Sequence, residues 1–182
     1  GQDAHASAMP ELALLVPSHA FTLVGVEDGL PSNEVNAILQ DGRGFIWLGT
    51  AGGLTRYDGY DCITYRGDPS DPARMGGNQV SVLAEDRGMI WLSASPGNIT
   101  RFNPFTEEFL RFPISTDDEE FRPFASMHID ASGIIWLGGL ESGLSRFDPA
   151  SGESRNIFPG EAVLSIAEDG KGRLWFLTQS GV

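Results

Sequence analysis

Few side chains in this sequence are of a type and spacing to do chemistry. The histidines are His5, His19 and His128, and their spacing matches no metal-binding pattern. Cys62 is the only cysteine, so neither an intrachain disulfide nor a cysteine metal cluster can form. Neither His-Glu-x-x-His nor Gly-x-Ser-x-Gly occurs. Asp117-Asp118-Glu119-Glu120 gathers carboxylates of the kind Ca²⁺ prefers, but no glycine-punctuated ligand spacing follows, and the run reads as a solvated loop. Gly170-Lys171-Gly172 lacks the spacing of a phosphate loop and reads as a hairpin turn, as does Arg66-Gly67-Asp68. Asn98-Ile99-Thr100 is a glycosylation sequon, which matters only in a eukaryotic secretory setting. The expectation is no catalytic residue, no metal and no cofactor.

What must position any site is a repeat. The tryptophans are Trp47, Trp91, Trp136 and Trp175, separated by 44, 45 and 39 residues. Each has a glycine three residues before it: Gly44, Gly88, Gly133 and Gly172. An aspartate stands six residues before at Asp41, Asp130 and Asp169; in the second copy Asp86 is five before and Glu85 takes the sixth place. Arg56, Arg101 and Arg146 follow, each leading into an aromatic and then Asp or Asn. Their equal register argues against an anion-binding surface and for a structural pairing, with the turn aspartates as the expected partners.

Each copy translates into short strands joined by glycine-rich turns. The first strands are Val35–Gln40, Val80–Glu85, Phe124–Ile129 and Ala162–Ala167. The tryptophan strands are Phe45–Thr50, Met89–Ala94, Ile134–Gly139 and Arg173–Thr178. Third strands fall at Leu54–Tyr57, Ile99–Phe102 and Leu144–Phe147, and fourth strands around Cys62–Tyr65, Phe109–Phe112 and Arg155–Phe158. A four-stranded unit repeating at this period is the signature of a propeller blade. The expected fold is all-β: an incomplete β-propeller of about three and a half four-stranded antiparallel blades. Its expected division is an N-terminal extension, 1–20, and a partial propeller, 21–182, with repeats at about 30–66, 78–113, 123–159 and a truncated 161–182. Tryptophan is the expected filler between blades, because an aromatic of this size buries ~150–250 Å². His128, on a first strand, reads as structural.

Composition agrees and narrows the partners. The chain of 182 residues is 41% hydrophobic and 20% charged, enough for a core, and its 23 glycines and 11 prolines sit between short apolar runs. Net charge is −13, which keeps a module soluble and argues against a nucleic-acid partner. Leu12 to Val16, the longest apolar run near the start, is too short to span a bilayer. No intact signal peptide precedes it, and the opening Gly1–Ala8 reads as the remnant of a cleaved leader or of cloning.

Gly29-Leu30-Pro31-Ser32-Asn33-Glu34-Val35, followed by Asp41-Gly42-Arg43-Gly44-Phe45-Ile46-Trp47 and Gly53-Leu54-Thr55-Arg56-Tyr57-Asp58, resembles the two-component regulator propeller family. The signature recurs in Glu85–Leu92, Asp130–Gly138 and Asp169–Leu177, and the Asp- and Pro-rich segment Gly67–Gly77 is similar to the linkers such repeats carry. The resemblance implies the periplasmic region of an inner-membrane receptor, with further repeats and an output module, a histidine kinase or a diguanylate cyclase, in the same polypeptide. It implies a non-catalytic sensor that binds a small molecule, saccharides being common among relatives, or a protein, and that signals by domain packing or dimerisation. Phe21–Val24 is the expected outer strand of the final blade, and the isolated fragment is expected to expose the apolar face of its last half-blade and self-associate. The rival is an enzyme: Asp169–Thr178 is also similar to streptogramin B lyase repeats, and the Asp/Gly/Trp turn to the Asp boxes of sialidase-type glycosidases. Either needs an acid–base constellation that no single repeat supplies. A third option, a protein-contact scaffold of the WD40 kind, is disfavoured because Leu or Phe follows every Trp.

Overall fold

The computed structural model describes residues 22–95, 98–114 and 123–182. They form antiparallel sheets that follow one another along the chain. The first blade comprises β1 (Val35–Gln40), β2 (Ile46–Thr50), β3 (Gly53–Tyr57) and β4 (Cys62–Tyr65), and the second β5 (Val80–Asp86), β6 (Met89–Ala94), β7 (Asn98–Asn103) and β8 (Glu108–Pro113). The third holds β9 (Phe124–Ile129), β10 (Ile135–Gly139), β11 (Gly143–Asp148) and β12 (Glu153–Phe158). A fourth, two-stranded sheet pairs β13 (Val163–Glu168) with β14 (Leu174–Thr178). Within each sheet the strands pair in sequence order, and β1, β5, β9 and β13 pack on one another as the inner strands. This is the expected propeller arrangement of about three and a half blades. Residues 1–21, which hold the whole of the expected extension and the start of Phe21–Val24, lie outside the described residues. Thr22–Val24 is not in a strand, and Leu23 is exposed.

Alternation along a strand sends successive side chains to opposite faces of a blade. The tryptophan points toward the following blade and its apolar neighbours toward the preceding one. Trp47 meets Phe102 of the second blade at 5.6 Å, in an edge-on contact. Trp91 stacks on Phe112 at 5.6 Å, and Phe112 in turn lies 5.3 Å from Phe147 of the third blade. Trp136 is 6.0 Å from Phe176 of the fourth sheet. The core is accordingly two seams. One is built on Trp47, Val80, Ile90, Leu92 and Phe102, the other on Trp91, Ile99, Phe124, Ile135 and Phe147.

Burial along the series measures what each seam has received. Trp47 is 0% exposed, Trp91 5%, Trp136 is half-buried and Trp175 is 45% exposed. Leu177, on the same face as Trp175, is also exposed. An indole is enclosed only where the following blade brings third and fourth strands against it. Replacing Trp47 with Ala should cost about 3–5 kcal/mol, as for other buried aromatics, while Trp175→Ala should cost a small fraction of that. Urea titrations followed by circular dichroism would compare the two, and equal losses would contradict the seam account.

Candidate functional site

The hairpin joining the first two strands of a blade is the most elaborated local structure in the chain. In the first blade one carboxylate organises it. Asp41 accepts hydrogen bonds from the backbone N–H of Arg43 at 2.9 Å and of Phe45 at 3.0 Å, and from Trp47 Nε1 at 2.9 Å. Asp130 repeats the set with Ser132, Ile134 and Trp136 Nε1, and Asp169 with Lys171, Arg173 and Trp175 Nε1. The aspartate thus closes the turn and satisfies the one polar atom of a side chain buried in the seam. Gly44, Gly133 and Gly172 complete the turn at φ 94°, 85° and 75°, where a side chain would be strained. Because Phe45, Ile134 and Arg173 are held by the aspartate, β2, β10 and β14 start one residue later than the sequence pattern suggests.

The second blade breaks this rule. Its hairpin is shorter, with Arg87 at φ 51° and Gly88 at φ 80°, the paired left-handed geometry of a two-residue turn. Neither acid reaches Trp91. Asp86 pairs with Arg87 at 3.7 Å, and Glu85 turns to the neighbouring blade, accepting from the Gly42 N–H at 3.0 Å. Glu168, the residue at the same place on β13, likewise reaches back one blade, to His128 Nε2 at 2.8 Å. His128 is therefore part of a seam. The arginines at matched register depart from expectation. Arg56 lies over the Phe45 ring at 4.7 Å and Arg101 over the Trp91 ring at 5.9 Å, while the turn aspartates pair with Arg43 at 3.4 Å and Arg173 at 2.7 Å. Position explains it: Arg56 and Arg101 stand directly across the ladder from Trp47 and Trp91, as Arg146 does from Trp136, and Arg56 and Arg101 meet rings and not turns.

Two features carry no signal that sequence reasoning had used. Leu30 and Met75, each five residues before an inner strand, are 5% and 0% exposed. The neighbouring Asn33 and Asn78 accept from the incoming chain at Val26 N, 3.0 Å, and Gly67 N, 2.8 Å. The shared Asn-x-Val before both strands was the available signal. The second feature is a backbone irregularity near the start of every inner strand, which displaces Asn36, Ser81, Ala125 and Leu164 from the ladder. Such bulges re-aim side chains next to sites.

The bulged strands line a recess of about 260 Å³ between the inner strands, with Asn36, Ser81, Ser126 and Ser165 as its polar lining. The Asn36 amide donates to the Val80 carbonyl at 3.1 Å across the first seam, whereas the buried hydroxyls of Ser81 and Ser126 have no hydrogen-bond partner among the described residues. A second hollow, of about 520 Å³, opens on the rim beside Arg101, Glu107 and Phe109. Tyr65 donates to Glu107 there at 2.8 Å, and burial followed by this bond pushes the phenol up to about 12. Glu107 sits at φ 58° where the equivalent turn of the third blade has Gly152 at φ 75°. No group of acids, histidines and cysteine suited to a metal ion occurs among the described residues, and no described helix is long and apolar enough to cross a membrane.

Fold and seams define a β-propeller of four-stranded blades. Residues 29–52 and 157–180 match the two component regulator propeller family. Among solved structures, the extracellular domain of one hybrid two component system of B. thetaiotaomicron superposes with a TM-score of 0.69 at 23% identity, covering 85% of this chain and 23% of its own. A second such domain from the same organism gives 0.66 at 18%, covering 82% and 21%. The virginiamycin B lyase of Staphylococcus aureus gives 0.61 at 16%, covering 82% and 54%. At these identities the likeness is one of fold. The chain spans less than a quarter of the length of the two extracellular domains. No curated protein matches the sequence.

The turn aspartates make stability depend on acid. Burial of Asp41 and Asp130 works to raise their pKa values, but the indole, hydroxyl and backbone donors outweigh it, and both lie below the ordinary 3.8. For Asp169, led by the Trp175 indole, the value falls to about 2. A depressed folded-state pKa contributes stability that is complete above the unfolded value and lost as pH falls through the folded one. Stability should therefore fall as pH drops from 3.8 toward about 2, and Asp41→Asn should shallow that fall while lowering stability at neutral pH. Denaturation midpoints between pH 2 and 7 would show it, and an unchanged acid limb in the variant would count against it.

Proposed function

We propose that this chain is the extracytoplasmic, ligand-sensing propeller region of a two-component-type membrane receptor, and that it is not itself catalytic. The match to the two component regulator propeller family carries the reading, and the likeness to extracellular domains of hybrid two component systems supports it. The seat for a small molecule or a partner's loop is the recess between the inner strands, where Ser81 and Ser126 hold buried hydroxyls free of protein partners among the described residues. A bound polar group would satisfy them, and a buried hydroxyl left unpaired costs about 1–3 kcal/mol. Signalling then needs only that the ligand favour one arrangement of blades or protomers over another. Output belongs to the rest of the polypeptide, as a kinase or cyclase module.

An enzymatic reading gains no support from the one imidazole–carboxylate contact among the described residues. His128 and Glu168 are spent on each other across a seam. In the full-length protein, alkaline phosphatase fused after Val182 should be active and a fluorescent protein fused at the same place dark; the reverse result would place this region in the cytoplasm and end the proposal. With the receptor's output as readout, Ser81→Val combined with Ser126→Val should move the half-maximal ligand concentration at least tenfold. An unmoved response would remove the recess as the seat while leaving the sensor reading intact.

A further inference from the structure

The turn and strand after β7 differ from their counterparts in the third blade at two positions, and both lie on the rim hollow. Across the ladder Arg101 faces Leu110 and Asn103 faces Glu108; in the third blade Arg146 faces Arg155 and Asp148 faces Glu153. There Arg155 pairs with Glu153 at 3.6 Å, so that acid is spent on its own strand. The second blade has Leu110, 46% exposed, in place of that arginine, and Glu108 turns to the Thr106 hydroxyl at 2.9 Å. One residue earlier, Glu107 holds φ 58° where the third blade has Gly152. Backbone strain of this kind persists where the side chain is needed. Tyr65 occupies one acceptor site of the Glu107 carboxylate, which offers about four.

These side chains line the hollow of about 520 Å³, a size within the range of sites that enclose small molecules. Arg101 lines it too. Its stack on Trp91 at 5.9 Å uses the face of the guanidinium and leaves the N–H edge for an anion. Met89, Phe109 and Leu110 are the apolar part of the lining, and Ala73, from the segment Gly67–Gly77, completes it. That segment is anchored: Met75 is fully buried, and Arg111 donates to the carbonyls of Pro69 and Asp71. A smaller hollow of about 310 Å³ shares Ala73, Glu107 and Phe109 with the first. We propose that this rim site binds a short peptide with free ends and apolar side chains. Arg101 takes the terminal carboxylate, Glu107 and Glu108 the terminal ammonium, and Met89, Phe109 and Leu110 the side chains. One guanidinium set against two carboxylates beside an apolar lining is complementary to such a zwitterion, and to neither a simple anion nor a neutral polyol. The site is separate from the recess between the inner strands and does not rest on the receptor reading.

Calorimetric titration of the purified full chain with leucyl-leucine tests this, beside N-acetyl-leucyl-leucine and leucyl-leucine amide, each of which lacks one charged end. The free dipeptide should bind, and blocking either end should weaken it at least tenfold. Glu107→Gly installs the residue that the third blade uses at this backbone angle, so the variant should fold. It should bind the free dipeptide at least tenfold more weakly and the N-acetyl form as the unaltered chain does. Arg101→Met should weaken the free dipeptide by a similar factor and leave the amide unchanged. No binding at millimolar dipeptide, or equal binding of the three ligands, would overturn the proposal. So would loss of binding in Ser81→Val combined with Ser126→Val, which would put the peptide in the recess instead. None of these outcomes bears on whether the whole protein is a receptor, which the fusions above decide.

Discussion

The indole of Trp47 is fully enclosed between two sheets, and its single polar atom ends on a carboxylate of its own hairpin. That coupling meets a difficulty every blade faces. A small sheet has two faces to bury and few residues to do it with, so it must lend one face to each neighbour. An aromatic placed there contributes the most apolar area, but it carries an N–H that would be costly unpaired. The aspartate six residues earlier supplies the acceptor. In doing so it ties turn, strand and seam into one unit: the carboxylate that shapes the loop also fixes where the ring can lie.

The second blade shows what happens when the unit is cut. Losing one turn residue moves Asp86 out of reach of Trp91, and the ring is held instead by Phe112 and Arg101. The freed acid, Glu85, is recruited across the seam to the Gly42 amide. Glu168 does the same toward His128. The first and third seams are thus pinned twice, by rings in the middle and by polar contacts at the hairpin end. The first seam gains a third pin from Tyr65 and Glu107, at a backbone angle that glycine adopts more easily.

The strands were legible because alternation and turn chemistry are local. Val35–Gln40 and Phe124–Ile129 follow directly from apolar runs bounded by Asp and Gly, and the expected Val80–Glu85 runs one residue further, to Asp86. The tryptophan strands were placed one residue early wherever an aspartate captures the backbone after the glycine, since that bond cannot be seen in a pattern of hydrophobicity. Plugs such as Leu30 and Met75 were missed because they lie in irregular segments without periodicity. The bulges at Asn36 and Ser81, and with them the polar recess, were missed because a displaced residue looks like any other member of its strand.

By itself, the sequence determined the repeat, the number and order of strands, the seam role of the tryptophans and the absence of a recognisable catalytic motif. These follow from composition and spacing, which act within a few residues of chain. Only the tertiary structure decided which way each ring faces and how deeply it is buried. It also decided that Arg56 and Arg101 meet aromatic faces, and that the hydroxyls of Ser81 and Ser126 have no partner among the described residues in the recess between the inner strands. Those outcomes depend on contacts between blades some forty residues apart, and the side chain that will cover a given position is not written near it in the chain.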